Sequence, residues 1–286
     1  MITRSIAAIG MALATLASAS CGTTALPPDP GLTPVLLVHG LWDDHRVWRD
    51  VEASLARAGY PATHVLAVDL RPNDGATVTA AAQLAVAAES LLARAGRAAA
   101  AAGAPRPSRL DLVAHSMGAL SGRLHARRHP EQVRRLVSLA GANHGSARFC
   151  PPEGGPGPRE LCPPFAESDS ASAIQVLLNG TPASPVDETP FGVGGDRRAA
   201  VAVPPDRDRR IVYLALQVAG DAWIVPDSSS TLDGTGGVVV ALDGLRGVHE
   251  PRPGLIVLEG TGHDELLRDR RLLTLLPRLL QAPERP

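Results

Sequence analysis

A series of short, continuous apolar runs separated by helix-length segments constrains the fold of this chain more than any other feature. "TPVLLVHG" comes first, then "THVLAVDL", "SRLDLVAH", "VRRLVSLAG", "RRIVYLALQVAG" and "GLIVLEG". Apolar runs of this length without alternation are the pattern of strands buried on both faces. Between them, "VWRDVEASLARAG", the alanine-rich run from Val78 to Ala102 and "MGALSGRLHARRH" carry helical spacing, and "DELLRDRRLLTLLPRLL" closes the chain as an amphipathic helix. Strands alternating with helices predict an α/β fold: a mostly parallel central sheet with helices on both faces. With 44% hydrophobic residues among 286, the chain can bury one full core. The rhythm breaks between residues 143 and 209, a stretch rich in Pro, Gly, Ser and Asp in which only "SASAIQVLLNG" reads as helix. It exceeds an ordinary connection several-fold and is expected to be a lid or cap-like insert in a domain spanning residues 34–286.

Composition removes several function classes. All 28 basic residues are arginine, which excludes a Schiff-base lysine and the lysine of a phosphate-binding P-loop. A net charge of -1, with arginines scattered among acids, offers no basic stripe for nucleic acid. Residues 1–20 have the form of an export signal: Arg4, the apolar run "IAAIGMALATLA", then small residues. The run is shorter than the ~20 residues of a mature membrane anchor. Two cleavages fit, one after Ala19 and one before Cys21, where a lipid would tether the protein to a membrane. A polar leader, residues 21–33, follows. In an exported chain the remaining cysteines, Cys150 and Cys162, are expected to pair, a bond worth ~3 kcal/mol by chain entropy.

In an open parallel sheet, ligands collect at the carboxyl ends of the strands. The His39-Gly40 turn, Ser116, Asp221 and His263 all follow predicted strands, which brings them to one edge. Ser116 lies between a strand and a helix with small residues, Ala114 and Gly118, on either side, as a tight nucleophile turn requires. A serine needs a base, and the base needs an orienting carboxylate. His263, in a glycine-rich loop after the last strand, is the expected base, with His144 as rival. His115 is expected to point to the far side of the turn, and His45, His64, His125, His129 and His249 read as surface residues. Asp221 is the expected acid, with Asp227 and Asp243 as alternatives. The Met117 and Leu41 N–H groups are positioned to receive a developing oxyanion.

Assembled in this order, the chain resembles the α/β-hydrolase superfamily, and within it the exported bacterial lipases and esterases of the class 2 lipase family. The similar stretches are "PVLLVHGLW", "LVAHSMGAL", "VSLAGANHGS", "LLNGTPASPVDETP", "GDAWIVPDSSSTLDG" and "EGTGHDELL". The resemblance implies Ser116 as nucleophile, Asp221 as acid, His263 as base, and Leu41 with Met117 as oxyanion hole. It also implies a carboxylester hydrolase acting on acylglycerols or other lipid-like esters, with no cofactor and no metal. The Cys150 to Cys162 segment is unlike the smallest lipases of that family, and the stretch from Gly236 to Gly254 lengthens the interval between acid and histidine. The fold hosts many chemistries, so thioester, amide or polyester cleavage by the same triad stays open, as does a non-catalytic binding role.

Overall fold

The computed structural model describes residues 26–162, 173–179, 211–232 and 238–283. The expected export signal, Cys21 and most of the expected insert lie outside the described residues. Seven strands form one sheet in the order β2-β1-β3-β4-β5-β7-β6. The strands are β1 (Val35–Val38), β2 (Val65–Ala67), β3 (Leu110–His115), β4 (Val133–Leu139), β5 (Val212–Val218), β6 (Val248–Arg252) and β7 (Leu255–Leu258). All neighbouring pairs are parallel except β6 with β7.

Alternate residues of each strand serve two cores. Val35, Leu37, Val113 and Leu214 face helix α1 (Arg49–Arg57) and the C-terminal helix α6 (Arg270–Gln281), which contribute Leu55, Leu275 and Leu279. Leu36, Val38, Leu112 and Leu136 face α2 (Thr77–Ala101) and α3 (Gly118–Arg128), through Leu84, Leu91 and Ala119. Each buried leucine contributes ~1.5–3 kcal/mol over its exposed state. With aromatic residues only 3% of the chain, aliphatic side chains fill both layers.

Three expectations change. The strand β6 is an addition; its signal was Pro253-Gly254, a turn dipeptide whose glycine takes φ 78° and returns the chain antiparallel onto β7. The C-terminal helix does not run unbroken from Asp264. A 3-10 turn covers Glu265–Arg268, and Asp269 then leaves helical geometry and caps α6 by accepting from Arg271 N–H. The proline-rich start of the insert contains a short helix α4 (Pro156–Glu160), with proline at its opening position, and α5 (Ala173–Asn179) follows. Glu160 accepts from Thr77 N–H at 2.7 Å, capping α2 in place of Ala76, which has no side chain to do so.

Cys150 and Cys162 form a disulfide with Cα atoms 5.0 Å apart. At the sheet edges, Arg94 donates to the Thr63 and Val65 carbonyls beside β2, and Pro251 stands within β6. Among the described residues, no helix is long and apolar enough to cross a membrane.

Candidate active site

The turn between β3 and α3 is two residues long, Ser116-Met117. Ser116 takes φ +54°, a left-handed conformation that costs a non-glycine residue of order 1–3 kcal/mol. The surroundings enforce it. A Cβ on Gly118 would meet the His39 carbonyl oxygen at 2.5 Å and that of Val38 at 2.8 Å, both backbone atoms that cannot yield. A Cβ on Gly40 would meet Ser116 Cβ at 2.7 Å. The close approach of the β1 loop to the serine therefore depends on two glycines. The Ser116 carbonyl accepts from Ala119 and Ala142 N–H, which ties the turn to α3 and to the end of β4.

Asp221 follows β5 and is 6% exposed. Its Oδ1 accepts from Trp223 and Ile224 N–H at 2.8 and 3.1 Å, and its Oδ2 accepts from His263 Nδ1 at 2.7 Å. Burial alone would raise this carboxyl; the hydrogen bond and charge of His263 and the two backbone donors outweigh it and hold Asp221 below its usual range. Because a carboxylate only accepts, the proton of His263 is on Nδ1, and Nε2 is left as the basic nitrogen. Ser116 and His263 line one cavity of about 200 Å³. The Asp221–His263 bond is formed, and Ser116 lines the same cavity without a Ser116–His263 hydrogen bond.

The rivals are committed elsewhere. Asp227 accepts from Gly220 N–H at 2.8 Å and so fixes the loop that carries Asp221. Asp243 is exposed in a turn. His144 is held by the Ser229 carbonyl, through both its backbone N–H and its ring Nδ1.

His115 does not point away from the site. Its ring centroid lies 4.6 Å from that of His263, and its Nε2 donates to the His263 carbonyl at 3.1 Å. The residue before Ser116 thus braces the loop that carries His263. Burial, aided by the charge of His263, pushes His115 down to about 3, so it stays neutral. His64 and His125, expected at the surface, are fully buried; His64 bonds the Pro30 carbonyl and the Thr63 hydroxyl. His39 is buried as well. Leu70 N–H donates to its Nε2 at 3.0 Å, so its proton is on Nδ1, which donates to the Gly40 carbonyl at 2.8 Å. Leu41 lines the cavity, and Met117 opens α3. Neither of their N–H groups is engaged with another group among the described residues.

The cavity walls went unread in the sequence because their side chains come from separate loops. Leu41, Leu161 and Ile224 form an apolar side, while Trp42, Phe149 and Trp223 form an aromatic one. Phe149 lies between the two tryptophans, with centroids 6.4 and 6.3 Å away. Trp42 is held at φ +63° by its N–H bond to the Asn73 carbonyl. Asp43 and Asp264 complete the lining. Half-buried, with Asp264 and Asp44 nearby, the Asp43 carboxyl is pushed up to about 6. A ring nitrogen of His115, one of His263 and an Asp264 oxygen lie within 4.8 Å of one another, the kind of donor set that can hold a cation. Behind the serine, Arg123 on α3 is 1% exposed and donates to the Asn143 and Leu178 carbonyls and to Asn179 Oδ1, joining the helix after Ser116 to α5.

No curated protein sequence matches the chain significantly. A mature lipase of Bacillus licheniformis is 18% identical, covering 90% of this chain and 95% of its own, with a TM-score of 0.49. The naproxen esterase (carboxylesterase NP) of Bacillus subtilis is 14% identical, covering 87% and 84%, with a TM-score of 0.46. Residues 35–274, most of the chain, match the alpha/beta hydrolase family, and the protein belongs to that family.

Proposed function

We propose that this protein is a serine carboxylester hydrolase with Ser116 as nucleophile, His263 as base and Asp221 as orienting acid. The observation that carries this reading is the buried 2.7 Å contact from His263 Nδ1 to Asp221, in a cavity shared with a strained Ser116. Ser116 Oγ attacks the ester carbonyl as His263 Nε2 takes its proton. The tetrahedral oxyanion is received by the uncommitted Leu41 and Met117 N–H groups. His263 then protonates the departing alcohol, and water, deprotonated by the same nitrogen, releases the acid from the acyl-enzyme. Base help of this kind contributes ~100- to 10000-fold.

The apolar side of the cavity suits an acyl chain. Its volume of about 200 Å³ within the described walls favours small acyl groups, short-chain acylglycerols among them. The test is labelling with a fluorophosphonate probe, followed by p-nitrophenyl esters of increasing chain length beside thioester and amide analogues. Labelling of Ser116 and faster cleavage of butyrate than of octanoate support the reading; an unlabelled Ser116 in folded protein overturns it. The N-terminal sequence supports export, with release after Ala19 or lipid attachment at Cys21. Intact mass of the mature protein distinguishes the two, since only the latter adds acyl mass.

A further inference from the structure

The cavity that holds Ser116 carries no positive lining residue, yet it carries two carboxylates, Asp43 and Asp264. Neither has a hydrogen-bond or ion-pair partner among the described residues, in contrast to Asp44, which is taken up by Arg46. His115 adds a third acceptor to the same lining. It is 1% exposed, its Nε2–H is spent on the His263 carbonyl, and its Nδ1 has no partner. Outside the triad, the charged side chains of this lining are therefore both anions, with His115 beside them as an unpartnered acceptor. The aromatic rings stand beside them. Arg148 already sets its guanidinium 4.3 Å from the Trp223 ring centroid, so one ring holds a cation from the chain itself. Trp42, next to Asp43, is 55% exposed and presents an open ring.

From this placement we infer that the enzyme selects esters whose alcohol carries a cationic amino group, seated against Trp42 and the Asp43 and Asp264 carboxylates. This rests on the ester-hydrolase reading above. The alcohol side is assigned because Asp264 lies within 4.8 Å of a ring nitrogen of His263, the group that protonates the departing alcohol. Burial first, and then the Asp264 and Asp44 charges, raise the Asp43 carboxyl; a cation there offsets both and gains an open aromatic face. The pair of carboxylates also repels the carboxylate product, which favours its release.

The experiment compares 2-(dimethylamino)ethyl butyrate, protonated at neutral pH, with 3-methylbutyl butyrate, its neutral isostere. We expect kcat/KM for the amino ester to exceed that of the isostere by about tenfold. Asp43→Asn, Asp264→Asn and Trp42→Leu should each lower the amino ester's kcat/KM more than the isostere's. Binding of the two free alcohols to the Ser116→Ala protein, followed by tryptophan fluorescence, gives a readout independent of turnover. If both esters are cleaved equally well, the cation site fails while the ester-hydrolase reading stands. If neither is cleaved but the amino alcohol binds more tightly than 3-methylbutanol, the site stands and the ester-hydrolase reading fails. Equal binding of the two alcohols overturns the site.

Discussion

The turn that carries Ser116 and the wall that faces it are held by different means. At the serine, backbone meets backbone: Gly118 abuts the His39 and Val38 carbonyls, Gly40 abuts Ser116, and the turn is bonded into α3 and β4. The opposite wall is built from side chains on separate loops, with Phe149 beside Cys150, Leu161 beside Cys162, and a half-exposed Trp42. A single disulfide fixes the first two. The contrast suggests that the reacting geometry is set by the sheet itself, whereas the choice of substrate is set by pieces that can be exchanged without disturbing it.

The largest expected effect tests the serine side. Ser116→Ala should lower turnover by a factor on the order of 10⁴–10⁶ with an unchanged thermal midpoint, and Asp221→Asn by ~10⁴, measured with a p-nitrophenyl ester. A smaller loss in Asp221→Asn, matched by Asp227→Asn, would move the acid to Asp227.

Next comes the packing at the turn. Gly118→Ala places a methyl 2.5 Å from the His39 oxygen, so we expect a loss of ~1–3 kcal/mol in chemical denaturation and a turnover loss beyond what that destabilisation explains. Wild-type activity in this variant would show that the turn is not as rigid as its contacts require.

The opposite wall should respond in another currency. Replacing Cys150 and Cys162 together by serine should cost ~3 kcal/mol of stability and raise KM several-fold, with a smaller change in kcat, because Phe149 and Leu161 shift while Ser116 does not. If kcat falls as much as KM rises, the two regions are mechanically one and the contrast collapses.

The last effect, which builds up gradually over pH units, concerns protonation. Burial pushes His115 down to about 3 and His125 down to about 4, against 6.5 for an unperturbed imidazole. The unfolded chain therefore binds protons that the folded one refuses. The stability held by these neutral rings is full above pH 6.5 and lost as pH falls toward 4, at no more than ~1.4 kcal/mol per pH unit for each histidine. Denaturant midpoints between pH 7 and pH 5 should show this slope, and His125→Leu should flatten it. A wild-type slope of zero would mean that these rings ionise without opening the core.

The parallel strands and their helices were legible because apolar runs and helical spacing report burial directly. Four of the strand ends carried the expected groups, His39-Gly40, Ser116, Asp221 and His263, since position after a strand is a one-dimensional property. Trp42, Phe149, Trp223 and Asp264 were not legible as one lining, because nothing in their spacing says that loops after β1, β4, β5 and β7 converge. His115 was misread for a related reason. Alternation along β3 fixes which face it leaves, but only the fold shows that the His263 loop crosses that face. His64 and His125 read as polar and prove buried; His64 reaches back to the Pro30 carbonyl, and His125, on α3, lies against His129, contacts that polarity alone does not announce.

The two ends of the sheet bear on how this protein keeps its own company. Pro251 has no N–H to offer a neighbouring strand, and Arg94 occupies carbonyls at the far edge beside β2. Both borders are thereby poor templates for another chain. Recruitment of a second copy by strand addition is disfavoured, and so is the run-on stacking that begins fibrils.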